Sequence, residues 1–285
     1  MAEPLSWSEF RALPRDTIQT LVPKSVVCTL GGTRRAAAFA GIQPSSIEYI
    51  HWSRQHMLTW FDIFAKYGVE HIFLAATRVT EFKEQGRHAQ ILSVVDNAIA
   101  DDAMLHAYAC RQWRTRVIGD PASTFIQGIT DRFSKNQPPH YAMTLWYMIV
   151  PSFDAIWDWM CQAIVAATAT TRQAAMHAFY GEAIPPAKLL ISFGKPVVSA
   201  DLIPPLISDE LQCYWSQKPG YSLGEDDFLS IMYDFAYMRA TWRENKTGRA
   251  EEALLDQTRW NSAGIVGLGQ RLGPFWFPRH IDSET

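Results

Sequence analysis

The sequence is poor in the features that mark nucleic-acid-binding, secreted and membrane-spanning proteins. Its 26 lysines and arginines are nearly balanced by 29 aspartates and glutamates, which leaves a formal charge of -3, and no basic run is longer than a pair. The chain therefore lacks the positive field that binds a nucleic-acid backbone. No apolar stretch reaches the roughly 18 residues that span a bilayer, and the N-terminus has no apolar leader segment. We expect a soluble cytoplasmic protein without a nucleic-acid partner or a membrane span.

Cysteine is also scarce, and the familiar catalytic motifs are missing. The four cysteines lie far apart and lack the paired spacing of zinc or redox sites, so we expect free thiols in a reducing compartment; they are Cys28, Cys110, Cys161 and Cys213. The sequence contains no Walker motif, GxGxxG string, nucleophile elbow or HExxH. These absences exclude the common nucleotide-binding, hydrolase and zinc-protease signatures.

Large aromatic side chains, in contrast, are abundant. The 285 residues include 11 tryptophans, 15 phenylalanines and 10 tyrosines, which is more than one core of this size ordinarily requires. Two interpretations remain open: an aromatic-rich core, or a large apolar cavity that some of the rings line.

Short apolar runs recur along the chain, separated by segments with helical periodicity. Because the runs are apolar throughout rather than alternating, they predict strands that helices cover on both faces. Such a pattern is typical of one α/β domain over residues 1–285, with a mainly parallel sheet of about six strands. The six predicted strands are residues 25–30, 70–75, 116–119, 144–150, 188–193 and 211–215.

The first long helix is marked by its ends. Ser45 with Glu48 three residues later forms a predicted capping box, and Gly68 ends the helix. Two apolar stripes follow its length, one of them aromatic: Tyr49, Trp52, His56, Trp60 and Ile63. A helix that is apolar on two faces is covered on both. We expect one face to pack on the sheet and the aromatic face to bound either more core or a ligand cavity.

Residues 31–35, here called the Gly-Arg turn, directly follow the first predicted strand. In open α/β sheets ligands bind beyond the carboxyl ends of the strands. Gly31 and Gly32 allow backbone N–H groups to approach an anion, and Arg34 and Arg35 supply guanidinium donors that match phosphate oxygens. The turn predicts a phosphate or diphosphate site, although a strand-ending turn with two solvated arginines has the same local sequence.

Other polar groups allow a chemical and a structural interpretation. Asp154 and Asp158, four residues apart, could share a helix face and hold magnesium, or form a solvated face. His88 could act as a base or stabilise a cation, or lie on the surface.

Segments in the same order along nearly the whole chain carry a resemblance to a known family. They are SWSEFRALP, GTRR, AKYGVEHI, TRVIGDPAS, FYGEAIPPAKLLISFGK and YSLGEDDFLSIMYDFAYMRATWR. With these segments the chain resembles the Z-prenyl (cis-prenyl) transferases, and within them the tuberculosinol synthase-like diterpene synthases. The resemblance implies a Rossmann-like domain, usually dimeric, with an apolar tunnel that holds the hydrocarbon of an allylic prenyl diphosphate.

The resemblance also implies roles for individual residues. Gly31, Gly32, Thr33, Arg34 and Arg35 would bind the diphosphate, together with Lys195. Tyr49 and His88 would face the allylic cation, Trp52 and Trp60 would line the tunnel, and Glu182 would lie near the site as a carboxylate.

One departure from the family pattern lies in the Gly-Arg turn itself. Family members carry an aspartate where this chain has Gly31, so the sequence leaves the need for Mg²⁺ open; Asp201 and Glu182 are the candidates to replace that carboxylate. The arginine-rich signature of chain-elongating members is also missing. We expect a terpene synthase that ionises a C20 allylic diphosphate, linear or bicyclic, and quenches the cation with water or by proton loss. Prenyl transfer to a nucleoside or other acceptor, and a non-catalytic scaffold subunit, are the alternatives.

Overall fold

A six-stranded parallel sheet forms the centre of the molecule. The computed structural model describes residues 5–83, 88–238, 247–262, 265–272 and 275–278. The strands lie in the order β3-β4-β2-β1-β5-β6, and all five pairings between neighbours are parallel. Their bounds are β1 Ser25–Thr29, β2 His71–Ala75, β3 Trp113–Ile118, β4 Met143–Met148, β5 Ala187–Phe193 and β6 Ser208–Ser216.

The sheet separates two apolar layers because successive side chains of a strand point to opposite faces. Val26 and Cys28 of β1 belong to one buried cluster, and Val27 between them belongs to the other. Strand β2 repeats the pattern, with Ile72 on the first face and Phe73 on the second. Both faces of the central strands are therefore covered, which explains why their sequences are apolar throughout.

Helices cover both faces of the sheet. The first face packs against a layer that includes residues of α4 and α11, and the second against residues of α9 and α10. No helix among the described residues combines the length and apolar character needed to cross a membrane. The helices are α1 Trp7–Arg11, α2 Arg15–Leu21, α3 Thr33–Phe39, α4 Ile47–Lys66, α5 Val79–Phe82, α6 His88–Ile99, α7 Asp102–Cys110, α8 Thr124–Lys135, α9 Ala155–Ala166, α10 Arg172–Tyr180, α11 Glu225–Tyr233, α12 Arg249–Leu255 and α13 Gln257–Ser262.

All six predicted strands are confirmed, with differences at their ends. Strand β3 begins at Trp113, three residues before the predicted start, because buried Arg114 and Thr115 belong to the strand although their types are polar. A short antiparallel pair, β7 Gly269–Leu272 and β8 Phe275–Pro278, lies outside the prediction.

The prediction for the start of α4 is wrong by one residue. Its N-cap is Ser46, whose hydroxyl accepts a hydrogen bond from the Tyr49 N–H at 3.2 Å, rather than Ser45. The predicted end is confirmed, since Gly68 follows the helix with the left-handed φ of +79° that favours glycine.

Candidate active site

The Gly-Arg turn lies where the first strand meets the first helix of the sheet. Strand β1 ends at Thr29, Gly32 takes a left-handed φ of +81°, and α3 begins at Thr33. A Cβ on Gly32 would lie 2.9 Å from an Arg35 guanidinium nitrogen and 3.3 Å from the Pro219 Cα. The left-handed backbone therefore favours glycine here, and the space around it is tight.

A cavity of about 450 Å³ opens at this edge of the sheet. Its volume lies in the range of small-molecule sites, roughly 300–1,000 Å³. The carboxyl ends of β1, β2 and β5 contribute residues 29–35, 74–78 and Phe193, and helices α4 and α6 form much of the remaining wall. The lining joins a cationic end, with Arg34, Arg35 and Arg78, to apolar and aromatic side chains.

The β2 end of the cavity presents two polar residues that the sequence did not single out. Thr77 is 2% exposed, and its hydroxyl has no hydrogen-bond partner among the described residues. A buried hydroxyl without a partner loses free energy unless a ligand or water satisfies it. The next residue, Arg78, adds a third guanidinium to those of the Gly-Arg turn.

Arg78 is held by Asp201. Its Nε donates to one carboxylate oxygen at 2.9 Å, and Nη2 donates to the Ser199 hydroxyl at 3.2 Å. The same oxygen accepts the Val79 N–H at 3.1 Å, and Ser199 donates to the second oxygen. Burial raises the pKa of Asp201, but these hydrogen bonds and the charge of Arg78 outweigh burial, so that the pKa lies below its usual value.

Helix α4 presents Tyr49, Ser53 and Met57 to the cavity, at the four-residue spacing that places side chains on one helix face. Tyr49 OH and the Thr33 hydroxyl share a hydrogen bond of 2.8 Å, which ties this wall to the Gly-Arg turn. Ser53 and Tyr221 share a second, of 3.1 Å.

A segment after β6 packs directly on the Gly-Arg turn. The Gly220 N–H donates to the Gly31 carbonyl at 2.8 Å, and a Cβ on Gly220 would lie 2.6 Å from that oxygen. The following residue, Tyr221, takes a φ of +69°, in the left-handed region, and its side chain lines the cavity. The sequence analysis used the residues from Tyr221 onward for the family resemblance but gave this segment no role in the site; the Pro-Gly pair at 219–220 is a local signal for the turn.

The structure brings together six of the predicted site residues. Five form the Gly-Arg turn and the sixth is Tyr49, all of which line the cavity: Gly31, Gly32, Thr33, Arg34, Arg35 and Tyr49. Asp201 does not line the cavity itself; it binds Arg78, which does. Lys195 follows β5 at the same edge of the sheet and is exposed, without lining the cavity. His88 begins α6, and its side chain lies outside the described part of the chain.

Three predicted positions differ in the structure. Glu182 precedes β5 and pairs with Arg114 near the start of β3, so it lies at the amino edge of the sheet, opposite the cavity. Trp60 is buried in the core against Phe64, with ring centroids 4.8 Å apart, and does not line the cavity. Trp52 also lies behind the lining, stacked 4.1 Å from His56 and in edge contact with Tyr221. Helix periodicity does not reveal which of two apolar faces meets a cavity.

The described part of the chain does not form a protein-held metal site. Among the described residues, no three His, Cys, Asp or Glu side chains form a cluster that could hold a metal ion. Glu81 is the carboxylate found among the described lining residues, and it accepts the Arg78 backbone N–H at 2.9 Å. A Cβ on Gly31 would lie 3.4 Å from Phe193 Cβ, an ordinary contact, so the position has room for a Cβ. Asp154 and Asp158 are both exposed, which favours the solvated helix face.

A second cavity, of about 340 Å³, lies beside β3, against residues of α8, α9 and α10. Among the described residues of its lining, Arg116 alone carries a charge, and its guanidinium carbon lies 5.9 Å from the Trp146 ring. The cavity at the carboxyl edge is therefore the stronger candidate for an anionic ligand.

Comparison of folds gives the class of protein. Lavandulyl diphosphate synthase from Lavandula x intermedia superimposes with a TM-score of 0.57 at 12% identity, over 79% of this chain and 98% of that one. A Campylobacter jejuni protein described as a probable undecaprenyl diphosphate synthase gives 0.57 at 13%, over 77% and 98%. At this identity the likeness establishes the fold alone, and the fold is that of cis-prenyl diphosphate synthases.

Sequence comparison then gives the family. The chain is 39% identical to (+)-kolavelool synthase of Herpetosiphon aurantiacus over 280 residues, 98% of this chain and 97% of that protein. The chain belongs to the cis-prenyl transferase family, as the ordered sequence segments predicted. No protein-family model matches it.

Proposed function

We propose that this protein is a terpene synthase that ionises an allylic diterpene diphosphate, releases diphosphate and yields an alcohol or hydrocarbon. The near full-length similarity to (+)-kolavelool synthase supports the reaction class. The observation that carries the proposal is the cavity at the carboxyl edge, because one continuous lining joins the guanidinium groups of Arg34, Arg35 and Arg78 to aromatic and apolar walls. A prenyl diphosphate has the same division into an anionic head and an apolar chain.

The cationic end of the cavity fits the first chemical step. When the carbon–oxygen bond breaks, its electron pair leaves with the diphosphate, which gains negative charge. Guanidinium groups match diphosphate oxygens and stabilise that charge most where water is excluded. Arg34 and Arg35 supply such groups from the Gly-Arg turn, Arg78 supplies one from β2, and the Thr77 hydroxyl provides a further donor.

The apolar end of the cavity fits the second chemical step, in which the allylic cation is stabilised and quenched. An allylic cation is stabilised by the negative faces of aromatic rings and is destroyed by stray water. Tyr49, Tyr221 and Phe193 line the cavity beside Met57 and Leu74. We place the hydrocarbon against these side chains.

Several finer features belong to the same proposal. We propose a C20 substrate, a homodimer and a cytoplasmic location. Mg²⁺, if it takes part, would be bound mainly by the diphosphate with few protein ligands, because this ion keeps several waters and one or two carboxylates in phosphate sites. Glu81 is the cavity carboxylate available to it.

The direct test is incubation of the purified protein with geranylgeranyl diphosphate and with bicyclic diterpene diphosphates, each with and without Mg²⁺. We expect equal amounts of released diphosphate and terpenoid product from at least one substrate. Absence of both from every substrate overturns the synthase proposal. Release that occurs only after a nucleoside is added identifies prenyl transfer instead.

Two arginine variants locate the reaction in the cavity. Arg34→Ala removes a charged hydrogen-bond donor, so we expect kcat/KM to fall about 10- to 100-fold. Arg172→Ala is the matched control, since Arg172 pairs with Asp209 at the surface away from the cavity. Equal kinetics for the two variants would place the diphosphate elsewhere.

A further inference from the structure

Two hydroxyl groups meet on the wall of the cavity. Ser53 projects from α4, one helical turn after Tyr49, and Tyr221 projects from the segment that packs on the Gly-Arg turn. Their oxygens lie 3.1 Å apart, and both side chains line the cavity. One helical turn is a rise of about 5.4 Å, so Ser53 follows on the same helix face as Tyr49, whose hydroxyl bonds to that of Thr33.

The pair has unused hydrogen-bonding capacity. A hydroxyl offers one O–H and two lone pairs, and the Ser53–Tyr221 bond uses one O–H and one lone pair. One O–H and three lone pairs therefore remain on the two oxygens. Met57, Leu74 and Phe193, also on the lining, offer no strong donor or acceptor. A water molecule needs two to four polar partners, and this pair supplies two side by side.

The position of Tyr221 is fixed from several sides. Its ring centroid lies 5.9 Å from that of Trp52 at an angle of 67°, and 6.2 Å from His56. The preceding residue, Gly220, bonds to the Gly31 carbonyl, and Tyr221 itself has a φ of +69°. Such a φ is strained for a non-glycine residue and persists where the surroundings hold it. The phenol is thus fixed relative to the Gly-Arg turn.

Tyr221 stays protonated at neutral pH. Burial raises its pKa above the usual range, Ser53 lowers it less, and Tyr49 raises it further. The phenol therefore keeps its O–H as a hydrogen-bond donor at neutral pH and does not act as a base.

We propose that Ser53 and Tyr221 bind the water molecule that quenches the allylic cation, which makes an alcohol the main product. This inference rests on the proposed synthase function and names its nucleophile.

The substrate's carbon–oxygen bond breaks, and the electron pair leaves with diphosphate. The water oxygen then bonds to the cationic carbon, and its extra proton passes to the released diphosphate. An allylic cation carries charge on the carbon that held the diphosphate and on the carbon two bonds away. The pair is suited to reach this region, because Tyr221 follows Gly220, which bonds to the Gly31 carbonyl of the turn that would hold the diphosphate.

The test measures product partition together with diphosphate release. In water enriched in oxygen-18, the wild-type alcohol should carry the label. Tyr221→Phe and Ser53→Ala each remove one partner of the water, so we expect the ratio of alcohol to hydrocarbon to fall about five-fold, the effect of one hydrogen bond. Diphosphate release should fall less than this ratio.

Tyr214→Phe is the matched control, because Tyr214 bonds to Asp234 and does not line the cavity; its product ratio should equal that of the wild type. The inference is overturned if the alcohol lacks the label, if the wild type makes only hydrocarbon, or if both Ser53→Ala and Tyr221→Phe keep the wild-type ratio. Ser53→Ala, a small change, keeps the test decisive should Tyr221→Phe not fold. Absence of diphosphate release from the wild type counts against the proposed function instead.

Discussion

At the scale of single residues, the hydrogen bonds of Asp201 indicate its role, which its residue type alone does not. The sequence made it a candidate catalytic carboxylate, and the side chain is 1% exposed with both oxygens bound by Ser199, Arg78 and the Val79 N–H. A carboxylate with these partners is suited to hold the Arg78 guanidinium at the cavity. We therefore treat Asp201 as a positioning residue.

Asp201→Asn should weaken both folding and substrate binding. Removing one member of a largely buried ion pair costs about 3–5 kcal/mol, and since Arg78 is about one-third exposed we expect about 1–3 kcal/mol. Urea unfolding at pH 7 measures the loss, and an increase in KM that exceeds the decrease in kcat indicates misplaced Arg78. Asp209→Asn is the control, because the Arg172–Asp209 pair is exposed and should contribute less than about 1 kcal/mol.

The stabilising effect of Asp201 should also depend on pH. The folded pKa of Asp201 lies below its ordinary value of 3.8, so its stabilising effect is complete above about pH 4 and is lost as pH falls through the folded pKa. The difference in unfolding free energy between wild type and Asp201→Asn should stay constant from pH 7 to about pH 5 and shrink as the pH falls below about 4. A difference that stays constant down to pH 3 would contradict the assignment.

At the scale of elements, the cavity depends on contacts between segments far apart in sequence. The turn after β1 and the segment after β6 meet through the Gly220 N–H and the Gly31 carbonyl. Helix α4 adds the Tyr49–Thr33 hydrogen bond to the same turn. These links fix the Gly-Arg turn from two sides.

Gly220→Ala should disturb this arrangement. The new Cβ would lie 2.6 Å from the Gly31 carbonyl oxygen and 3.2 Å from the Thr33 Cγ2, and backbone cannot yield as a flexible side chain can. We expect a loss of about 1–3 kcal/mol in stability and a larger fractional loss in kcat/KM, measured by thermal unfolding and steady-state kinetics. Gly128→Ala in α8, where a Cβ meets nothing within 4 Å, should leave the kinetics unchanged and stabilise the helix slightly. Wild-type kinetics in Gly220→Ala would show that the turn does not need this contact.

At the scale of the whole molecule, we expect a homodimer. Strand β6 lies at one edge of the sheet, and its apolar side chains Leu211, Tyr214 and Trp215 are only half-buried in the chain. Sedimentation equilibrium at micromolar concentration should give about twice the chain mass of 32.3 kDa. A monomer at tens of micromolar would overturn the expectation.

Much of the fold could be predicted because it depends on local patterns. Apolar runs of about six residues gave all six strands, and Gly68 gave the end of α4. The start of β3 could not be predicted, because Arg114 is buried through partners distant in sequence: Thr144 accepts from its Nε at 3.0 Å, and Glu182 forms the ion pair.

Sequence by itself determined the parallel sheet, the family and the Gly-Arg turn, since each follows from residues that are contiguous or in fixed order. Only the tertiary structure decided which distant groups share the cavity. It placed Thr77, Arg78 and Tyr221 on the lining, Asp201 behind Arg78, Trp52 and Trp60 behind the wall, and Glu182 at the opposite edge. The physical reason is that a helix stripe or strand end fixes only the direction of a side chain, whereas its surroundings depend on how separate elements pack.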